Sequence, residues 1–362
     1  MNIAIISLIR RGGMVHFHSE LVNSISKIVP TIAIISSETP STYYSSETSK
    51  LLVYARQGAL GTFINAINPF FWYKLYKILQ ASRADIFHIV ASHAWNPILG
   101  LLLSFLKKPL IFTLHDPEHH LGTPVYMRIS DALLLKESNA VIVLSNLGRE
   151  QLLAKGLVRN KIFHIPHGVY SFFTEFRTKH LVQEKMILFF GRIEPYKGLD
   201  ILLAAFSRVA DTLPGWKLVI AGNGDLTPYL TALHHPQIEV INKYIPDEET
   251  ADLMERCRMV VLPYIEATQS GVIPIAYAFA RPVIATDVGS LKEMVIHGRT
   301  GLLIPPGDSI KLAQTIKTLA TDDLFCSQMG HYAFEWSRSE WSWERIAQLH
   351  FELYSKVIER YV

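Results

Sequence analysis

Residues 186–222 read MILFFGRIEPYKGLDILLAAFSRVADTLPGWKLVIAG and spell out one strand–helix–strand unit. The opening run, 186–191, is almost wholly apolar, as a strand covered on both faces should be. Leu, Ile, Ala and Phe then recur at helical spacing over about 198–211, behind a loop holding Arg192, Pro195, Lys197 and Gly198. A second apolar, β-branched run, 217–222, ends in glycine. Strand, charged loop, helix and strand in this order predict parallel strands in an α/β sheet.

The same alternation continues outward. Downstream, strands are expected at 238–242, 259–263, 282–286 and 300–304, with helices at about 247–257, 270–280 and 308–320. Upstream, near-continuous apolar runs occupy 2–8, 31–36, 50–55, 85–90, 110–114, 140–144 and 161–165, with helical patterns at 96–105 and 146–155. Between the two series, 171–184 shows neither period and reads as a linker. The tail from about Ser337 carries Trp343, Ile346, Leu349, Leu353 and Val357 at helical spacing and reads as one amphipathic helix. The expected organisation is therefore two facing doubly wound, Rossmann-like domains, 1–170 and 185–336, a linker at 171–184, and a helix at 337–362 crossing back to the first domain.

Composition fits this reading. A chain of 362 residues suits two ordinary domains, and 49% apolar with 19% charged residues suits globular cores. Cys257 and Cys326 stand far apart inside apolar stretches, the pattern of reduced, buried thiols in a cytosolic protein. The apolar run 2–8 precedes the arginines and is too short for a secretory leader, so it reads as a first strand. The longest apolar stretch, 97–106, is too short to span a bilayer, which predicts no transmembrane helix and a cytoplasmic location. Residues 1–170 hold 16 basic against 9 acidic side chains, while the remainder is net acidic. A basic first half suits phosphate groups or an anionic membrane surface. The basic residues are scattered and accompany no recognition motif, which argues against nucleic acid.

Ligands of open α/β sheets bind beyond the carboxyl ends of the strands, so the residues following each strand are the candidates. After the first come Arg10, Arg11, Gly12, Gly13 and His16; the glycines let backbone N–H groups approach a ligand, or make only a tight turn. After the fifth come His115, Asp116, Pro117, Glu118, His119 and His120. His115 suits a sugar hydroxyl or a departing charge. The cluster matches no zinc-ligand spacing, and Pro117 breaks any helical pairing, so no metal site is expected. In the second half, Arg192 and Lys197 combine a forked donor and a point charge, which suits two linked phosphates. Gly224 follows the next strand, and Tyr244, Ile245 and Asp247 the one after; these could hold a nucleobase or form ordinary turns, with Asp247 as a cap. Glu266, Ala267, Thr268, Gln269, Ser270, Gly271 and Val272 then offer hydroxyls, an amide and backbone N–H groups to a sugar diphosphate, or a simple cap by Ser270.

The order of these motifs resembles the retaining group-1 (family 4) glycosyltransferases with the GT-B fold. GRIEPYKGLDILLAAF, IAGNGD and ARPVIATDVGSLKEMVIHGRTGLLIPPGD carry the resemblance over about 186–308. It extends more weakly to Gly12–Gly13, to His115–Asp116 and to WSWERIAQLHFELYSK, which is similar to the family's crossover helix. The resemblance implies a hexosyltransferase that takes a UDP- or GDP-sugar, needs no metal or other cofactor, and retains the anomeric configuration. It implies that Arg192 and Lys197 hold the diphosphate, that Gly13 faces the donor, and that His115 lies near the transferred sugar. Gly224, Ile245, Glu266, Ser270, Gly271 and Val272 fall on its donor side, and Gly12, His16 and Asp116 on the acceptor side. The family usually carries two glutamates eight positions apart; here those places fall on Ala267 and Ile275. Thr268–Val272 then looks like a variant in which Gln269, grouped with His115 as catalytic, and Ser270 take over donor contacts.

A nucleotide-sugar epimerase or hydrolase, or an inactive binding subunit, would share this fold; the intact Arg192/Lys197 pair argues against the last. The acceptor is expected to be a glycan or a lipid-linked sugar. In 61–83, Phe70, Phe71, Trp72, Tyr73 and Tyr76 crowd beside Lys74, Lys77 and Arg83. That composition fits a helix resting on anionic lipid, which would make the protein peripheral at the inner face of the membrane, or a core helix with its aromatics on the sheet.

Overall fold

The computed structural model describes residues 1–10, 12–55, 58–118, 124–178 and 183–361. By contact the chain divides into two compact units, Met1–Gly168 with Trp343–Val362, and Val169–Ser342.

The first unit is built on a seven-stranded parallel sheet: β1 (Ile3–Ser7), β2 (Thr31–Ser36), β3 (Ser49–Val53), β4 (Ile86–Ile89), β5 (Leu110–Leu114), β6 (Ala140–Val143) and β7 (Ile162–His164). Its order is β3-β2-β1-β4-β5-β6-β7. The chain works outward from β1 to β3, then returns to the far side of β1 for β4. Between strands run α1 (Gly13–Ile25), α2 (Gly58–Ala66), α3 (Pro69–Ala81), α4 (Asn96–Phe105), α5 (Val125–Glu137) and α6 (Asn146–Ala154). Alternate strand residues feed opposite faces, as the two-residue period requires. Ala4, Phe87 and Phe112 meet Leu75, Leu99, Leu134 and Leu152 of α3 to α6 on one face. Ile5, Ile35 and Ile111 meet Phe17 and Leu21 of α1 on the other, together with Ile346 and Tyr354 from the chain's last helix.

The second unit holds β8 (Met186–Phe190), β9 (Lys217–Ala221), β10 (Ile238–Ile241), β11 (Met259–Leu262), β12 (Val283–Thr286) and β13 (Gly301–Ile304). They form a six-stranded parallel sheet in the order β10-β9-β8-β11-β12-β13. Its helices are α7 (Leu199–Val209), α8 (Leu230–Leu233), α9 (Asp247–Arg256), α10 (Val272–Ala278), α11 (Leu291–Met294), α12 (Ser309–Thr321) and α13 (Asp323–Glu340). Met186 and Leu188 point to the face covered by Met254, Ile273 and Tyr277. Ile187 and Phe189 point to the face covered by Leu202, Phe206, Leu312 and Ile316. Each such fully buried side chain contributes about 1.5–3 kcal/mol. Every strand read from the sequence is present, with ends shifted by a residue or two.

Three expectations change. The tail is not one helix from Ser337: α13 starts at Asp323 and stops at Glu340, and α14 (Trp343–Tyr361) follows. The break has a packing cause. Trp341 stacks on Tyr277 (5.8 Å, 16°) in the second unit's core, while Trp343 meets Phe17 (5.5 Å) in the first unit's core. The linker is partly ordered, with a 3-10 turn at Ser171–Phe176; residues 179–182 lie outside the described residues. The aromatic cluster of α3 is divided between two faces. Phe71 and Trp72 are buried against Trp95, while Phe70 and Tyr73 are exposed. Cys257 and Cys326 are buried and unbridged. No helix among the described residues is long and apolar enough to cross a membrane.

Candidate functional site

In each sheet the strand order reverses once. Such switch points open a crevice at the carboxyl ends of the two strands on either side. In the second unit the switch lies between β8 and β11, so the loops in question are Gly191–Gly198 and Pro263–Gly271. They are tied together. The Ile265 N–H donates to the Tyr196 carbonyl (2.7 Å). Gly198, in the left-handed region at φ 65°, lies so close to the Pro263 carbonyl that no Cβ would fit. A Cβ on Gly191 (φ 106°) would sit 2.9 Å from Lys197 Nζ. The sequence therefore needs glycine on both sides of the lysine.

Lys197 is 8% exposed, and its ammonium sits 5.3 Å from the centre of the Tyr264 ring. Burial pushes its pKa down. Among the described residues no carboxylate comes within ion-pair distance of it. Arg192 stands differently, 76% exposed and 3.9 Å from Glu194. The pair read as one compact clamp is thus a buried cation and a solvent-facing one. Tyr264 is buried, which lifts its phenol to about 12. Its hydroxyl lies 3.5 Å from Ser270 Oγ, which in turn accepts from the Val272 N–H (3.3 Å). Gly191, Lys197, Tyr264, Ser270 and Val272 are brought together at this switch. Gln269 and Gly271 are half-buried beside them, and Glu266 is exposed. Gly224 joins through a backbone bridge with Ile193 and donates to Asn242 Oδ1 (3.1 Å). Ile245 is buried and Tyr244 exposed at the end of β10. Asp247 starts α9 and Pro246 holds the cap position, so Asp247 is not the cap expected. Ile275, at the second glutamate place, is buried in the core.

In the first unit the switch lies between β1 and β4. Gly12 caps α1 at φ 83°, ψ −175°, a conformation open essentially to glycine alone. Gly13 opens the helix, and His16 is buried 4.9 Å from the Tyr43 ring. Arg11 lies outside the described residues. His115 follows β5 next door. Its Nε2–H donates to the Val90 carbonyl (3.0 Å), which leaves Nδ1 as the acceptor nitrogen. Burial holds its pKa near 4 against the pull of Asp116, so the ring is neutral at neutral pH. A charge-stabilising imidazolium is thereby disfavoured.

The sequence reading missed the loop after β4. There His93 Nδ1 accepts from the Trp95 N–H (3.2 Å), and burial lowers the His93 pKa to about 4. Ser92 Oγ donates to Asp131 (2.9 Å), whose carboxyl burial raises to about 6. These residues belong to no spaced motif; only the switch between β1 and β4 marks them. Among the described residues no group of His, Cys, Asp or Glu is arranged to hold a metal ion. His119 and His120 lie outside the described residues.

Comparison with known proteins adds to this geometry. Residues 184–322 match the model described as glycosyl transferases group 1, and residues 31–170 that of glycosyltransferase family 4. The chain carries group 1, family 4 glycosyltransferase domains. It is similar to the glycogen synthase of Mycobacterium tuberculosis, 26% identical over 290 residues, covering 75% of this chain and 69% of that one. It is also similar to the D-inositol 3-phosphate glycosyltransferase of Pseudarthrobacter chlorophenolicus, 28% identical over 312 residues, covering 77% and 72%. Anabaena HepE, solved with UDP and glucose, shares the fold with a TM-score of 0.74 at 18% identity, covering 98% of this chain and 100% of that one. The glycosyltransferase domains thus stand on a GT-B fold, and the activity class is glycosyl transfer. The matched segments hold most of the switch-point loops described above, Gly191–Gly198 and Pro263–Gly271 in one, His93 and His115 in the other.

Proposed function

We propose that this glycosyltransferase moves a hexose from a UDP- or GDP-sugar to a glycan or lipid-linked acceptor, retaining the anomeric configuration and using no metal ion. Peripheral attachment to an anionic membrane surface belongs to the same reading. One observation carries it: Lys197 is a buried cation at a topological switch point, with no carboxylate partner among the described residues. A buried unpaired charge is costly, and an anionic ligand relieves that cost. A diphosphate also engages Arg192, whose fork suits two oxygens and whose exposure leaves it able to swing onto them. As the bond from the sugar to the diphosphate breaks, its electron pair leaves with the phosphate, and these two cations neutralise the charge.

Ser270 and the backbone around Gly271 and Val272 complete the phosphate surroundings. Gln269 meets the sugar hydroxyls that a glutamate would otherwise meet, because an amide can both donate and accept. Gly224, Ile245 and Glu266 serve the nucleoside side. Gly13 admits the donor to the first unit's loop, where neutral His115 accepts from a hydroxyl of the transferred sugar. Gly12, His16 and Asp116 line the acceptor side. The UDP and glucose bound by HepE, and the similarity to a glycogen synthase and a D-inositol 3-phosphate glycosyltransferase, support this assignment.

The test is Lys197→Ala, with Arg192→Ala beside it. Removing a charge-assisted phosphate contact costs about 1.5–3 kcal/mol, so UDP affinity should fall at least tenfold and turnover should collapse. Near-normal turnover in a folded Lys197→Ala protein contradicts the reading. Turnover that survives EDTA supports the metal-free part; turnover lost to EDTA and restored by magnesium or manganese overturns it.

A further inference from the structure

Among the described residues, 23 large apolar side chains are exposed, and eleven of them lie between Leu60 and Leu133. That segment is about a fifth of the chain. The side chains sit on the outward faces of α2 to α5. Leu60 and Phe63 of α2 are 73% and 61% exposed, with Ile67 just beyond its end. On α3, Phe70 (74%) and Tyr73 project outward while Phe71, Trp72, Leu75 and Leu79 hold the helix to the sheet. Phe105 ends α4, and Tyr126, Ile129 and Leu133 run along α5. The four helices share one side of the sheet: α2 packs on α3 and α4 on α5, and Trp95 at the head of α4 meets Phe71 and Trp72. The exposed side chains therefore belong to one layer rather than to scattered sites. An apolar surface of this extent marks an interaction face.

Charge selects its partner. α2, α3 and α4 carry no acidic residue at all. Lys74 and Lys77 are exposed on α3, Lys107 and Lys108 directly follow α4, and Arg128 is exposed on α5. Of the acidic side chains on α5, Asp131 is buried and Glu137 lies at the helix end. Glu137, beside Gly100, is the one exposed acid on α2 to α5, and Lys108 is shared with Asp85 (3.7 Å), so cations outnumber acids on this layer. Exposed aromatics with an excess of lysines among them match a surface of anionic headgroups over hydrocarbon: rings enter the interface and ammonium groups reach the phosphates. We propose that the outward face of α2 to α5 is the surface by which this chain rests on an anionic lipid bilayer, with Phe63 and Phe70 entering the headgroup layer. This rests on the peripheral attachment proposed above and gives it eleven exposed side chains, of which only Phe70 and Tyr73 belong to the α3 cluster that the sequence suggests.

The experiment reads binding alone, without donor or acceptor. The full chain is floated with vesicles of phosphatidylcholine plus phosphatidylglycerol, and with vesicles of phosphatidylcholine only. Flotation is expected with the mixed vesicles at low salt and is expected to weaken on raising the salt. The exposed-residue variant Phe63→Ser/Phe70→Ser should need about tenfold or more lipid for half binding. Lys74→Glu/Lys77→Glu should abolish the preference for the anionic vesicles. Ile310→Ser/Leu324→Ser, which removes exposed apolar residues from α12 and α13, should bind as the parent does. Circular dichroism melts establish that each variant folds. No flotation with the anionic vesicles overturns the inference, as does flotation that the Phe63/Phe70 variant leaves unchanged. A dimer that the same variant dissociates overturns it too, since the face would then belong to a second copy. A chain that floats but transfers no sugar sinks the transferase reading and leaves this one standing.

Discussion

At the scale of single residues, the proposed donor site leans on a buried neighbour, Tyr264. Tyr264 touches the assigned machinery twice, presenting its ring face to Lys197 and its hydroxyl to Ser270. Tyr264→Phe keeps the ring and should leave donor affinity nearly intact. Tyr264→Leu removes the π-face beneath a desolvated cation, worth about 0.5–2 kcal/mol, and should raise the donor KM several-fold. Equal donor KM values for the two variants would show that the ring does not hold Lys197. Gln269→Ala should weaken donor use more than acceptor use, by about 1–3 kcal/mol for the lost buried hydrogen bonds. Donor KM and kcat equal to the parent's would remove Gln269 from the donor site. The sequence showed Lys197 and Arg192 as equals, because spacing says nothing about burial. It showed nothing of Tyr264, since an aromatic after a strand is as common in cores as in sites.

At the scale of elements, what was legible follows from period. Short, β-branched apolar runs bounded by turn residues read as doubly covered strands, whereas the longer apolar runs at 97–106 and 272–278 are helices, so length and branching rather than apolarity separate the two. Helix faces and helix ends were less legible. Phe70, Phe71, Trp72 and Tyr73 are alike in composition, and only the rotation of about 100° per residue sends two of them inward. The break after Glu340 was hidden because Trp341 and Trp343 both continue an apolar pattern, though each serves a different core. The loop of Ser92 and His93 carries no motif and shows itself only through strand order. One contact fixes α14 in its place: Gly168 lies flat against the Trp343 indole, where any Cβ would strike the ring. Gly168→Ala should therefore displace the indole and lower stability by about 1–3 kcal/mol, the usual cost of overpacking. An unchanged thermal midpoint would mean that the ring has room to yield.

At the scale of the whole molecule, the first unit is built around neutral histidines. His18 is held near 4 by burial, though it bonds the Ile5 carbonyl and the Tyr44 hydroxyl; His350 is held near 4 likewise. His88, between Tyr354 and Thr113 at 2.7 Å each, is pushed well down by burial and by His350. An unfolded histidine takes a proton near pH 6.5, and the folded His18 and His350 do not until about pH 4. The unfolded chain therefore binds more protons in that window. Stability is complete above about pH 6.5 and drains as the pH falls toward 4. His18 alone should cost about 2 kcal/mol at pH 5. A melting midpoint that does not fall between pH 7.5 and pH 5 would contradict this.

The break between Trp341 and Trp343 has a consequence for synthesis. The Met1–Gly168 sheet finds one of its covering helices only in α14, whose Ile346, Tyr354 and Val357 are translated after the whole of Val169–Ser342. On the ribosome the second unit can close while the first still lacks one helix of one face, reversing the usual order in which the leading domain folds first. Ile5 and Ile35 are then covered on that face by α1 alone until the nascent chain finishes, and that interval is where a chaperone would bind. Stalled chains ending before Trp343 should release Val169–Ser342 as a protease-resistant fragment while the leading segment is digested.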